Sequence, residues 1–333
     1  MNSWKNPELE FAIEAVEKAM RVTSAVSRQL AHMEQTKEDR SPVTVADFAA
    51  QAVVAALLAK HFPQDKLLGE ESSDALRDDS AGELLKKVVE FVRIVFPTAS
   101  ASDVLSWIDR GAGRPEGRFW TLDPVDGTKG FLRGQQYAIA FALLEQGQVQ
   151  VSVLGCPHLN SEGLLDKTGP GLIAAARKGC GAWLRTCGEE NFKPLRVSSH
   201  RQLEEVQVLR SVEASHANAS NMQTIFSRHG VCKEPVLMDS QAKYVYVAMG
   251  LGDLFFYLTP AQRPEYRMKI WDVAPGALVV EEAGGQITDL RGGVLDFTQG
   301  ETLALNPGLV ISNKLIHEKS LELLREVQAA RSE

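Results

Sequence analysis

Asp123 and Asp126 stand three residues apart in WTLDPVDGTKGF, residues 120–131, with Gly127, Thr128 and Lys129 directly behind them. Two carboxylates held that close repel each other unless a cation sits between them. Hard oxygen donors on a stiff turn suit Mg2+, which is usually held by a few carboxylates together with water and substrate phosphate. An Asp-Pro turn with a solvated acid is the simpler alternative for so short a stretch. Phe119, Trp120 and Leu122 read as the end of a buried strand. Pro124 biases Asp123 toward an extended backbone, and Gly127 permits a sharp turn. The expectation is a strand that ends, two converging carboxylates, and a turn whose amides face an anion.

Three other places could add to this chemistry. Glu70 and Glu71 follow Gly69 at the end of a short expected strand, Lys66–Leu68, where an α/β site collects its ligands; a solvated acidic loop is the plain alternative. Asp47 falls at the third position of a helix expected from about 45 to 60, with Thr44 as its N-cap. There it is either a capping acid or a base acting on water, and spacing alone favours the cap. Asp272, in KIWDVAPGALVVEEAGG, sits where another helix begins, so N-cap and ligand are both open. Ser240 and Lys243 of DSQAKY open a further helix, where a lysine could neutralise a phosphate or simply face water. Glu70, Asp123, Asp126 and Asp272 thus all lie at element ends. Such a set is costly to bury without cations, and two or three Mg2+ would turn it into a phosphoryl-transfer site.

The elements that must position these groups are mixed. Pro7 opens a helix with Leu9, Ile13, Val16, Met20, Val26 and Leu30 as its apolar stripe. HMEQTKEDRSPVT reads as a loop, Ala81–Phe96 as an amphipathic helix, and 97–117 as irregular and mostly exposed. Tyr137–Leu144 and Val149–Leu154 form a hairpin around Gly147, and Leu172–Ala176 and Ala182–Leu184 form a second. Past residue 160 strand-like and helix-like segments alternate, ending in a helix from about 314 to 330. The domain expectation is therefore an α+β metal-binding half, 1–160, and an α/β half, 161–333. Periodicity alone supports only a mixture of α and β.

The chain of 333 residues is 44% apolar and 24% charged, the balance of a folded globular protein. Its net charge of −7 argues against nucleic-acid polymers and anionic membranes as partners. It leaves room for a small anion, because a bound metal inverts the local charge. Cys156, Cys180, Cys187 and Cys232 make no C-x-x-C pair, which disfavours zinc. The opening MNSWKNPELE lacks the pattern of a signal peptide, so the cytoplasm is expected.

GEES, DPVDGT and WDVAPGALVVEEAGG resemble the three signatures of the lithium-sensitive, magnesium-dependent phosphatases that include inositol monophosphatase and fructose-1,6-bisphosphatase. SPVTVADFAAQ, FPQDKLLGEESS, LDPVDGTKGFLRGQQYA, DSQAKY, KIWD and LDFTQGETLA resemble the 3′(2′),5′-bisphosphate nucleotidase branch, over about residues 41–313. The resemblance implies a layered α-β-α-β-α sandwich and two or three Mg2+ per site. It implies Glu70, Asp123, the Val125 carbonyl, Asp126 and Asp272 as metal ligands, and Asp47 and Thr128 as the groups that position and deprotonate water. Gly127 and Thr128 would cradle the scissile phosphate, and His216, Ser240 and Lys243 would contact the nucleotide. The implied reaction removes the 3′-phosphate of 3′-phosphoadenosine 5′-phosphate, giving AMP, in sulfur assimilation and with sensitivity to Li+. An inositol (poly)phosphate phosphatase and a catalytically silent nucleotide or metal sensor are the alternatives. One departure is Tyr257, at a position where the branch carries an arginine; Arg263 and Arg267 are the nearby candidates to replace it. The sequence leaves the oligomeric state open.

Overall fold

The computed structural model describes residues 4, 6–31, 41–78, 82–212, 224–259 and 263–329. Helix α1, Pro7–Ala31, buries its whole expected stripe, and the Asn6 side chain accepts from the Leu9 amide at 2.9 Å to cap its start. Helix α2 runs over Ser41–His61 and therefore begins four residues before the expected Val45. Pro42 suits a first turn, whose amides have no intrahelical acceptor. Thr44 is thus helical rather than an N-cap, and Asp47 lies in the second turn, too deep to cap. Helix α2 is apolar nearly all round, as a helix sandwiched inside a core must be. It is the one helix among the described residues long and apolar enough to cross a bilayer, yet 83% of that stretch is buried inside the protein.

Strand β1, Lys66–Gly69, leads to the short α3, Asp74–Arg77, and to α4, Gly82–Val92, which stops before the expected Phe96. The stretch expected to be irregular contains α5, Ala101–Asp109. Ser100 and Asp103 form its capping box: the Ser100 hydroxyl accepts from the Asp103 amide at 3.1 Å, and the Asp103 carboxylate accepts from the Ser100 amide at 2.9 Å. Only Val104 and Ile108 are buried, too few for periodicity to expose the helix.

Seven strands then form one sheet in chain order: β1, β2 (Arg118–Asp126), β3 (Ala138–Glu145), β4 (Gln148–Cys156), β5 (Leu172–Arg177), β6 (Gly181–Thr186) and β7 (Lys193–Pro194). Strand β1 pairs parallel with β2, and every later neighbour is antiparallel. Between β2 and β3 lies the one-turn helix α6, Thr128–Leu132. Strands β8 (Leu209–Arg210) and β9 (Val236–Leu237) pair by themselves. Helix α7, Ala242–Ala248, strand β10, Leu254–Leu258, and helix α8, Ala274–Glu282, follow. Strand β11, Gln286–Thr288, strand β12, Gly308–Ser312, and helix α9, His317–Ala329, complete the chain. Strand β12 sits between β10 and β11 in a second, antiparallel sheet.

Period-two alternation decides the layering. In β3 the side chains Ile139, Phe141 and Leu143 join one core with α1 and α2, while Ala138, Ala140 and Ala142 join another with α7 and α8. The alanine face lets α8, itself opened by Ala274, Pro275 and Gly276, approach closely. The Ser152 hydroxyl of β4 donates to the Pro275 carbonyl across that gap. The second sheet repeats the pattern. Phe255, Leu309 and Ile311 face α7 and α8, and Leu254, Val310 and Leu324 of α9 form a third core on its far side. The result is the expected helix, sheet, helix, sheet, helix sandwich. The larger sheet continues past residue 160 to Pro194.

Candidate active site

Strand β2 loses its register with β3 between Asp123 and Asp126. The Val125 amide donates to Asp123 Oδ1 at 3.1 Å, so the Asp-Pro-Val step folds on itself as an Asp-initiated turn. Gly127 follows at φ 90°, in the left-handed region that glycine enters without strain. A Cβ there would lie 2.8 Å from the Ser240 Cβ, so the absence of a side chain lets the start of α6 close on the segment before α7. Ser240 itself has φ 65°, a conformation that costs a non-glycine residue energy.

This closure gathers residues distant in sequence around one cavity of about 280 Å³. Glu70, Asp123, Val125, Asp126, Gly127, Thr128, Ser240, Lys243 and Asp272 all line it, as the sequence expected of a shared site. It opens beside a larger recess of about 730 Å³ that shares Glu70 and Asp272 and includes Glu71 and Lys269. Asp47 does not line the cavity but stands behind it, and its charge is felt by Asp123. His216 lies outside the described residues.

Electrostatics single out the acidic groups. Burial, then the charges of Glu70, Asp126 and Asp272, push Asp123 well above the usual carboxylate range. Burial raises Asp126 to about 6, opposed by hydrogen bonding from Gln241 and by the Lys243 ammonium. Burial and the charge of Asp126 raise Asp272 to about 7. Burial, with Glu70 nearby, takes Glu71 to about 7. Glu70 is also raised, first by its packing among protein atoms, opposed by a hydrogen bond with Asp123 and by the Lys269 ammonium. Asp47 is raised well above normal by burial and by Glu71 and Glu70, and its Oδ1 has no hydrogen-bond partner.

Crowded, mutually repelling oxygen donors and an orphaned buried carboxylate oxygen fit a site for hard divalent cations. Among the described residues no three acidic, histidine or cysteine side chains already form a closed coordination shell. The donors instead surround an open cavity, as repulsion between like charges requires. Asp272 does not cap α8; its Oδ2 accepts from the Lys269 amide at 3.1 Å, and Val273 holds the N-cap position. Lys243 is buried, with Nζ 3.3 Å from the Ser211 hydroxyl and 3.2 Å from the Met238 carbonyl. It is therefore not a surface lysine.

Two glutamines that sequence reasoning passed over hold the site together. The Gln241 amide donates to Asp126, its side-chain nitrogen donates to the Trp271 carbonyl at 2.9 Å, and its side-chain oxygen accepts from Gly276 at 3.0 Å. It thereby fixes β2, the KIWD segment and α8 to one another. Gln51, one turn after Asp47 on α2, accepts from the Glu71 amide at 3.0 Å and donates to the Glu71 carbonyl at 2.7 Å. It clamps the GEES turn against the helix. Gln241 lay in plain view within DSQAKY; nothing local marks Gln51.

Tyr257 lines the cavity and its hydroxyl hydrogen-bonds with Tyr266, which lines it too. Of the two arginines considered as replacements, Arg267 is spent on the carbonyls of Ala304, Pro264 and Tyr266. Arg263 sits 5.5 Å over the Tyr266 ring.

Residues 4–329 match the inositol monophosphatase family, a group that is generally metal-dependent. The 3′(2′),5′-bisphosphate nucleotidase of Schizosaccharomyces pombe is 39% identical, covering 95% of this chain and 94% of that one. The protein of the same name in Emericella nidulans is 37% identical, over 94% of this chain and 96% of its own. The IMPase of Thermotoga maritima superposes with a TM-score of 0.64 at 20% identity, over 97% of this chain and 98% of that one. With the family match over residues 4–329 and relatives 37–39% identical along nearly their whole length, the chain belongs to the inositol monophosphatase family.

Proposed function

We propose that the chain is a Mg2+-dependent 3′(2′),5′-bisphosphate nucleotidase that hydrolyses 3′-phosphoadenosine 5′-phosphate to AMP and phosphate. The observation that carries this reading is the cavity in which Glu70, Asp123, Asp126 and Asp272 meet Ser240 and the buried Lys243. The relatives' names supply the substrate class. In this reading 1–160 brings GEES and DPVDGT, 161–333 brings the nucleotide contacts and Asp272, and the enzyme works in the cytoplasm.

Two or three Mg2+, held by Glu70, Asp123, the Val125 carbonyl, Asp126 and Asp272, would supply the charge that neutralises the phosphate and acidifies water. The chain's own groups do the rest. Thr128, which lines the cavity, orients the water that attacks phosphorus, and Asp47 behind it, with an oxygen otherwise unpartnered, would take up the proton. The new P–O bond forms as the ester bond to the 3′ oxygen breaks, and a proton passes to that oxygen. Amides at Gly127 and Thr128 face the phosphate, while Ser240, Lys243 and, outside the described residues, His216 hold the nucleotide.

The test is phosphate release from 3′-phosphoadenosine 5′-phosphate, 3′-phosphoadenosine 5′-phosphosulfate and inositol phosphates, with and without Mg2+ and with Li+ at roughly tens of millimolar. Fastest turnover of the bisphosphate nucleotide, dependent on Mg2+ and inhibited by Li+, is expected. Faster turnover of inositol phosphates would move the protein to that branch, and tight nucleotide binding without phosphate release would make it a sensor.

A further inference from the structure

A second cavity, of about 410 Å³, is lined by Phe131, Leu132 and Arg133 at the end of α6, whose start borders the carboxylate cavity. It is within the size range of small-molecule sites. Ser24, Ser27 and Arg28 come from the last turns of α1, Arg133 from the C-cap of α6, and His158 and Lys167 from the connection between β4 and β5. Among the described residues no carboxylate lines it, in a chain whose net charge is −7.

The cations are placed rather than scattered. Gly134 has φ 62°, and a Cβ there would come 3.0 Å from Lys167 Nζ, so the ammonium rests directly over the turn that ends α6. His158 Nδ1 lies 2.8 Å from the Gln135 carbonyl, which fixes the ring with its Nδ1 proton donated. Asp166 directly precedes Lys167, but its Oδ1 accepts from the Thr168 amide at 3.0 Å, the Thr168 hydroxyl at 3.0 Å and the Gly169 amide at 2.9 Å. It is spent on its own turn. Neither Arg28 nor Lys167 has an ion-pair partner among the described residues. A concave surface of one sign concentrates counter-ions, and arginine with lysine and hydroxyls is the donor set that phosphate oxygens take.

We propose that this cavity is a second anion site, separate from the carboxylate cavity, that holds the phosphoryl group of a small phosphomonoester or free phosphate. It has a route to the catalytic side. Arg133 pairs with Asp239, which also accepts from the Val212 amide at 3.2 Å and directly precedes Ser240. An anion that draws on Arg133 competes with Asp239 for it and so loosens the segment that carries Ser240 and Lys243.

The test uses the full chain freed of divalent cations, so that the carboxylate cavity repels anions. Inorganic phosphate and, in a second arm, AMP are titrated by calorimetry into wild type, Arg28→Glu and Lys167→Glu. Both residues are exposed, and unchanged circular dichroism confirms folding. Saturable binding by wild type, at least about tenfold weaker in each reversal, is expected, the loss of one charge-assisted contact being of that order. The arm that binds tighter tells free phosphate from nucleotide. Absence of saturable binding to wild type in both arms, or equal binding by the reversals, overturns the proposal. No turnover is measured, so the outcome is independent of which substrate the carboxylate cavity hydrolyses.

Discussion

Two cavities border the two ends of the short helix α6 and differ in the sign of the charge that lines them. At one end Asp123, Asp126, Glu70 and Asp272 crowd together with carboxyl groups raised by burial and by one another. At the other end Arg28 and Lys167 stand with hydroxyls, beside an Arg133 that is paired with Asp239, and among the described residues no carboxylate lines the cavity. The acidic cavity can admit an anionic phosphate only after cations have reversed its sign; the basic one needs no such step. A segment of a few residues, DGTKGFLRG, thus faces two incompatible fields, and what each side can hold follows from sign rather than volume.

The largest effect expected is on the acidic side. Asp126→Asn should lower kcat for phosphate release by more than about a hundredfold, beyond the loss typical of groups that merely support ligands. It should leave phosphate binding to the basic cavity of the cation-free protein unchanged. Near wild-type turnover in saturating Mg2+ would remove Asp126 from the site.

Next is the dependence of stability on pH. Folding raises Asp126 from 3.8 to about 6 and Asp272 from 3.8 to about 7. Between those limits the folded state holds more protons than the unfolded state. The contribution of these groups to stability is therefore most favourable at acid pH and falls as pH rises through the window. Without cations, the stability of wild type relative to Asp272→Asn should decline from about pH 4 to about pH 7. Mg2+ at roughly one hundred times its Kd should add about 2.7 kcal/mol in denaturant titrations at neutral pH. A wild-type to variant difference that is flat with pH would show that burial and the neighbouring charge do not raise Asp272 as described.

The smallest expected effect concerns Tyr257. Tyr257→Phe removes the hydrogen bond to Tyr266 and should cost about 1 kcal/mol of stability. Because both rings line the cavity without being assigned to the metals or to the attacking water, KM for the nucleotide should change while kcat does not. A fall in kcat at unchanged KM would place the hydroxyl at the reacting phosphate instead.

Much of this was readable from local signals. The hairpin turn at Gln146 and Gly147 has positive φ at both residues, as its glycine suggested, and the α1 stripe is buried throughout. Where local signals failed, a competing local reading was equally good. Pro42 looked like a loop residue and is a helix opener, which moved Asp47 out of capping range. Asp272 looked like an N-cap and instead folds back onto the Lys269 amide. Helix α5 was missed because its two buried residues fall below any periodic signal, although its Ser100–Asp103 box was present.

By itself the sequence determined the types of donor, their position at element ends and the alternation that makes each strand two-faced, because these depend on neighbours within a few residues. Only the tertiary structure decided that Gln241 would bind β2 to α8, that Lys243 would be buried beside Asp126, and that α6 would have acids at its start and cations at its end. Those outcomes depend on contacts between segments distant in sequence, whose approach is set by how the two sheets pack around α7 and α8 and leaves no trace in local spacing.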